Sequence, residues 1–99
     1  MSAKSMFEFR FPEAACEEGL RLATAVGNDM LPLEGYLDHE VIQDFSDPGH
    51  LMVNTRWATR EHANAVLADY KNDPKIKRIT ELMPDLPDGF VGNVLTPTS

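Results

Sequence analysis

The chain has 99 residues, 42% of them hydrophobic, and a net charge of −7. This length predicts one domain over residues 1–99, with a core over about 4–95. The charge argues against binding to a nucleic-acid backbone, which needs clustered Lys and Arg, and no stretch is apolar enough to cross a membrane. The single cysteine, Cys16, excludes an internal disulfide. Together with a start that lacks an apolar signal segment, this predicts a cytoplasmic protein.

The first predicted strand covers residues 4–11, where apolar and polar side chains alternate. Its apolar side carries three aromatic rings: Phe7, Phe9 and Phe11. Pro12 and Glu13 suit the first turn of a helix that follows. Helical spacing predicts the residues that pack this helix on the core: Cys16, Leu20, Ala23 and Met30.

A β-hairpin is predicted in the middle of the chain. Residues 35–45 and 50–57 both alternate between apolar and polar side chains, and the turn-forming residues 46–49 join them. The second strand ends at Trp57, the one tryptophan of the chain.

Two helices and a last strand are predicted after the hairpin. Thr59 suits the N-cap of the first helix, and the Asn-Asp-Pro segment 72–74 ends it and begins the second. The apolar faces are Ala63, Val66, Leu67 and Tyr70 in one helix and Ile76, Ile79 and Met83 in the other. Residues 89–95 predict the last strand.

The predicted element order is β-α-β-β-α(α)-β, the ferredoxin-like pattern of an α+β fold, in which helices cover one face of an antiparallel sheet. Apolar residues nevertheless occupy both alternating positions of the strands. In the second strand they are Tyr36 and Ile42 as well as Leu37 and Val41. A bare apolar sheet face exceeds what a monomer ordinarily exposes, so we expect a homodimer with the two sheets face to face.

The chain resembles the antibiotic biosynthesis monooxygenase domain family over roughly residues 7–95. The resemblance is carried by Leu33-Glu34-Gly35-Tyr36-Leu37-Asp38-His39-Glu40-Val41, by Asp47-Pro48, by Val53-Asn54-Thr55-Arg56-Trp57 and by the helix 61–67. It implies a dimeric α/β barrel with a pocket between sheet and helices in each subunit. It also implies that electron-rich phenols or quinols are oxidised by O₂ without a metal or flavin, so no cofactor is expected. The protein then has to remove a proton, hold the anion and exclude water.

His39 and Trp57 are the candidate catalytic residues. A neutral imidazole can take a phenolic proton near neutral pH; the alternative for His39 is a structural histidine bonded to backbone or carboxylate. Trp57 is either a wall on which a planar ring stacks or an ordinary core residue. A hairpin register with an even index sum places His39 opposite Trp57 with both facing the helices, whereas an odd sum separates them. The apolar pattern favours the even sum.

Three further residues are predicted to bind substrate at the pocket: Phe9, Tyr70 and Arg56. The three histidines have no cysteine or carboxylate at ligand spacing, so no metal site is predicted. The leading interpretation is a cofactor-independent monooxygenase acting on a small aromatic or quinol-like compound. The alternative is a non-catalytic dimeric module that binds a small hydrophobic ligand.

Overall fold

A computed structural model of the protein describes residues 2–70, 72–85 and 87–96. Within these ranges every element predicted from the sequence is present. In chain order they are β1 (Ala3–Arg10), a short 3-10 helix (Glu13–Ala15), α1 (Cys16–Asp29), β2 (Tyr36–Gln43), β3 (His50–Trp57), α2 (Arg60–Tyr70), α3 (Pro74–Leu82) and β4 (Asp88–Asn93). The helix predicted after Pro12 therefore opens with a tighter turn before it becomes α1.

The helices α2 and α3 begin where the sequence supplies caps. The Thr59 hydroxyl accepts the backbone N–H of His62 at 3.2 Å, as predicted for an N-cap. Before α3, the Asp73 carboxylate accepts the N–H of Lys75 at 2.8 Å. Pro74 occupies the first turn of that helix, where its missing N–H costs nothing.

The strands form one antiparallel sheet in the order β2-β3-β1-β4. This order, with helices between β1 and β2 and between β3 and β4, is ferredoxin-like, so the predicted α+β fold class is confirmed. Along most of the hairpin the index sum is even: Asp38 pairs with Arg56 and Gln43 with Leu51.

The core lies between the sheet and the helices. Side chains alternate between the two faces of a strand, and the helix-facing side of the two central strands is buried. The buried residues there are Ala3, Ser5 and Phe9 in β1 and Leu51, Val53, Thr55 and Trp57 in β3. The helices contribute predicted core residues that include Ala23, Met30, Ala63, Val66, Tyr70 and Ile79.

Leu20, which helical spacing assigned to the core face of α1, is instead 37% exposed. The buried residues of α1 are small: Gly19, Ala23, Val26 and Gly27. A Cβ on Gly19 would lie 2.4 Å from the ring of Phe11, so α1 lies too close to that ring for any residue but glycine. Because α1 turns this small-residue face inward, Leu20 is left at the surface.

No helix of the described residues covers the other side of the sheet, which we call the open face. Its apolar side chains are Met6 in β1, Ile42 in β2, Met52 in β3 and Phe90 in β4. Phe90 is 63% exposed and Ile42 is 44% exposed. The expected homodimer stays a prediction, because this structure describes a single chain.

Candidate functional site

A cavity of about 680 Å³ opens between the sheet and the helices α2 and α3. The residues around it are Phe7 and Phe9 from β1, Asn64, Leu67, Ala68 and Tyr70 from α2, Ile76 and Thr80 from α3, and Pro87, Asp88 and Gly89 at the start of β4. Its size falls within the range that small-molecule ligands occupy in proteins.

Strand and helix periodicity together build this cavity. Phe7 and Phe9 are two residues apart and therefore lie on the same, helix-facing side of β1. Asn64, Leu67 and Ala68 are spaced by three and four residues, which makes them one stripe along α2. These two surfaces form the floor and one wall, and most of their area is apolar.

Tyr70 closes the cavity on the side of α1. Its hydroxyl donates to the backbone oxygen of Val26 at 3.4 Å, and its side chain is buried. Burial, with the nearby carboxylates of Asp29, Asp73 and Asp69 in support, raises the pKa of Tyr70 to about 12. The phenol therefore stays protonated at neutral pH and cannot serve there as a base.

Asp88 contributes to the rim of the cavity, but alternation along β4 directs its side chain to the open face. There it pairs across the strands with Glu8, and its carboxylate accepts the backbone N–H of Gly89 at 2.8 Å. Among the described residues, therefore, no carboxylate, imidazole or ammonium group points into the cavity.

A second cluster, which we call the Tyr36 cluster, lies on the same side of the sheet beside α1. It consists of Tyr36, His39 and Trp57. The Tyr36 hydroxyl and His39 Nδ1 are 2.5 Å apart. The rings of Tyr36 and Trp57 meet edge to face, with their centroids separated by 6.2 Å.

A β-bulge at Leu37 assembles this cluster. The register shifts there, so Tyr36 pairs with Trp57 whereas Asp38 pairs with Arg56. A bulge inserts one residue into the strand, and Tyr36 consequently shares a face with His39 although they are three residues apart. His39 faces the helices as the even register predicts, but its partner across the hairpin is Thr55 and not Trp57, because the index sum from Asp38 to Gln43 is 94.

The surroundings of His39 restrict what its imidazole can do. Nδ1 is engaged by the Tyr36 hydroxyl. The other side of the ring packs on α1, where a Cβ on Gly27 would lie 2.8 Å from Cδ2 and 3.0 Å from Nε2. Glycine at that position leaves room for the ring, and no sequence pattern had connected Gly27 with His39.

Trp57 is fully enclosed at the end of β3. Its indole N–H donates to the buried hydroxyl of Ser5 at 3.0 Å. The ring is 1% exposed, so in the single chain no face of the indole is open to a ligand.

The structure thus divides the five predicted site residues among three places. Phe9 and Tyr70 line the cavity, whereas His39 and Trp57 belong to the Tyr36 cluster. Arg56 lies on the open face, where Nη2 and Nε contact the Asp38 carboxylate at 2.6 and 3.1 Å. This hydrogen bond and the positive charge hold the pKa of Asp38 below its usual value.

Within residues 2–70, 72–85 and 87–96, no group of three or more His, Cys, Asp or Glu side chains is placed to hold a metal ion. In the same ranges no helix is long and apolar enough to span a membrane.

No family profile and no curated protein matches this sequence. Solved structures do match it, and they define its fold as that of the antibiotic biosynthesis monooxygenases. The chain is similar to one protein of that name with 15% identity and a TM-score of 0.80, over 95% of this chain and 99% of the other.

Two further structures extend the comparison. SnoaB, a cofactor-independent oxygenase from Streptomyces nogalater, is 10% identical with a TM-score of 0.81, over 97% of this chain and 95% of its own. Rv0793 from Mycobacterium tuberculosis is 17% identical with a TM-score of 0.72, over 100% of both chains. At identities of 10–17% these similarities show the fold, and for the fold they confirm the resemblance predicted from the sequence.

Proposed function

We propose that this protein is a cofactor-independent monooxygenase that oxidises a small aromatic or quinol-like compound. The observation that carries the proposal is the cavity between β1, α2 and α3, with its volume of about 680 Å³ and its mostly apolar walls. The fold it shares with SnoaB, a cofactor-independent oxygenase, supports the same reaction class.

The reaction needs no electron donor other than the substrate. A dihydroxyarene and O₂ give a hydroxyquinone and water: one oxygen atom enters the ring, and the other leaves with two hydrogens of the substrate. Phe7 is partly exposed and offers apolar surface to a planar ring, whereas Phe9 is fully buried in the wall of the cavity. Leu67 and Ile76 line the cavity from the helices. A substrate seated between these side chains is partly shielded from water.

The second candidate, a non-catalytic module that binds a small hydrophobic ligand, is favoured by one observation. Among the described residues no carboxylate or imidazole points into the cavity. Burial raises the pKa of Tyr70 to about 12, so its phenol cannot accept a proton at neutral pH either. Catalysis therefore requires a bound substrate acidic enough to release its proton to solvent, or a base that reaches the substrate from elsewhere in the protein.

The role of His39 as that base stays a prediction. The imidazole is bonded to Tyr36 and does not line the cavity. If His39 is the base, His39→Ala lowers O₂ uptake at least about 100-fold, the lower end of what general bases contribute. An unchanged rate would leave His39 with a structural role only.

We further propose that the protein acts as a homodimer in the cytoplasm. The exposed apolar side chains of the open face support face-to-face packing of two sheets.

The proposed function is tested by following O₂ consumption with a panel of dihydroxynaphthalenes, using protein purified with a metal chelator. Ala68 lines the cavity, and Ala68→Phe fills it with a ring; we expect the rate to fall at least about tenfold. Ala65→Phe adds the same ring to an exposed position of α2 outside the lining and should retain the rate. Binding without O₂ consumption would select the non-catalytic module, and equal rates in the two variants would place the reaction elsewhere.

A further inference from the structure

The polar groups of the cavity indicate which compounds it accepts. We propose that the cavity selects uncharged aromatic compounds that carry a hydroxyl group and rejects the corresponding carboxylates, with Thr80 and Asn64 contacting the oxygen of the ligand. This inference rests on the proposed function and extends it by naming the charge and the functional group of the substrate.

Thr80 presents a hydrogen-bond acceptor to the cavity. Its hydroxyl donates to the backbone oxygen of Ile76 at 2.9 Å, one helical turn earlier. The proton of the hydroxyl is therefore used within the helix, and the lone pairs of Oγ1 remain free to accept a hydrogen bond. A ligand hydroxyl can donate to them, whereas a carboxylate has no proton to give.

Asn64 presents both kinds of group. It belongs to the stripe of α2 that lines the cavity together with Leu67 and Ala68. Its side-chain amide offers two N–H donors and a carbonyl acceptor, so it can bond either to a phenolic hydroxyl or to a ketone oxygen. This suits the reduced and the oxidised form of a quinol-like compound equally.

No cation among the described residues of the lining compensates an anionic ligand. An adjoining groove shares Ile76 and Thr80 with the cavity and is also lined by Lys77, but Glu81 lines the same groove with the opposite charge. A carboxylate that entered the apolar cavity would lose its hydration without gaining a counter-ion. The net charge of −7 disfavours its approach as well.

The test compares three ligands of one shape: 2-naphthol, its methyl ether and 2-naphthoate, titrated against the full chain at pH 7. We expect naphthol to bind at least about tenfold more tightly than naphthoate. The methyl ether cannot donate a hydrogen bond, and we expect it to bind several-fold more weakly than naphthol. Ala68→Phe should weaken all three, which assigns the binding to this cavity.

Two pairs of variants assign the selectivity to the named residues. Thr80→Val removes the acceptor at nearly constant shape and should abolish the advantage of naphthol over its ether. Thr24→Val is the matched control, because Thr24 makes the same bond to its own helix, to the Leu20 oxygen at 2.8 Å, away from the cavity.

The second pair introduces a cation. Asn64→Lys should raise the affinity for naphthoate about tenfold, as expected for a charge-assisted contact. Asn28→Lys adds the same charge to an exposed position of α1 outside the lining and should leave the affinity for naphthoate unchanged. Equal binding of naphthol and naphthoate by the natural chain, or identical behaviour within either pair, would overturn the selectivity while leaving the cavity as a binding site. Failure of all three ligands to bind would overturn the proposed function and the selectivity together.

Discussion

The indole of Trp57 is held in the core by one directional contact, the hydrogen bond from Nε1 to the hydroxyl of Ser5. Both side chains are buried, so removing either partner leaves a polar group without water or protein to bond to. We expect Ser5→Ala to lower the free energy of unfolding by about 1–3 kcal/mol. Chemical denaturation of Ser5→Ala, Trp57→Phe and the double variant measures the coupling, which should be at least about 0.5 kcal/mol.

Thr55 provides the comparison for this prediction. Its hydroxyl is as deeply buried as that of Ser5, but it donates to the sulfur of Met30 at 2.9 Å, and a thioether is a weak acceptor. Thr55→Val should therefore lower the free energy of unfolding by less than Ser5→Ala does. Additive effects of the Ser5 and Trp57 substitutions would show that the indole is held by packing alone.

Single-residue assignments were predictable from the sequence only where alternation decides them. Alternation correctly placed Phe9 and Trp57 on the helix-facing side, because one side of each central strand is mostly apolar. It could not assign Tyr36, since a bulge at Leu37 changes the parity of the strand and no glycine marks the position. The hydrogen bond between Tyr36 and His39 depends on that bulge, and the sequence therefore gave no indication of it.

At the scale of elements, a charged cluster ties the β2–β3 hairpin to β1. His50 Nδ1 lies 2.9 Å from an oxygen of Asp44, and Nε2 lies 2.7 Å from an oxygen of Glu8. Carboxylates only accept hydrogen bonds, so an imidazole held between two of them carries protons on both nitrogens. Asp44 first, and then Glu8, raise the pKa of His50 above 6.5, while the nearby Arg10 opposes them.

This cluster makes the stability of the protein depend on pH. A group whose pKa is higher in the folded state stabilises fully below its unfolded pKa, and this stabilisation is lost as the pH rises through the folded value. We expect the free energy of unfolding to fall as the pH rises from about 6.5 through the raised pKa of His50. Denaturation midpoints measured across this interval should show the fall in the natural chain and a flatter profile in His50→Gln.

Gln43 supplies a control from the same hairpin. Its side chain donates to the Pro48 oxygen at 3.0 Å and does not titrate. Gln43→Ala should lower stability by the same amount at every pH and so retain the slope of the natural chain. Parallel profiles for the natural chain and His50→Gln would refute the assignment to His50.

The face on which a helix packs was harder to predict than its bounds. Thr59 and Asp73 cap the starts of α2 and α3 through hydrogen bonds to residues two or three positions later. Contacts this local can be predicted from the residue types alone. The orientation of α1 depends on how closely it approaches its neighbours. Gly19 permits that approach, and the larger apolar residue beside it, Leu20, misleads a count of hydrophobic spacing.

At the scale of the whole molecule, the order of the elements was predictable because alternation and turn residues mark each strand and helix. The position of the cavity was not. It depends on the offset between the α2–α3 layer and the sheet, which no local pattern encodes. This offset separates Phe9 and Tyr70 from His39, although all three were predicted to line one pocket.

The open face leads to a prediction about assembly. Phe90 is 63% exposed beside Met6, its partner across β1 and β4, and an apolar area of this kind is ordinarily covered. If a second copy covers it, Phe90→Glu places a carboxylate in the interface. We then expect the Kd of the dimer to rise at least about tenfold. Sedimentation equilibrium at micromolar concentration measures this change.

Phe45 provides the matched control, because its ring is fully exposed in the turn after β2 and lies outside the sheet pairing. Phe45→Glu changes the charge and the exposed apolar area in the same way and should leave the dimer intact. Since the cavity and the open face lie on opposite sides of the sheet, Phe90→Glu should still bind 2-naphthol. A natural chain that sediments as a monomer at this concentration would contradict the face-to-face dimer but would leave the cavity and its selectivity to be judged by their own variants.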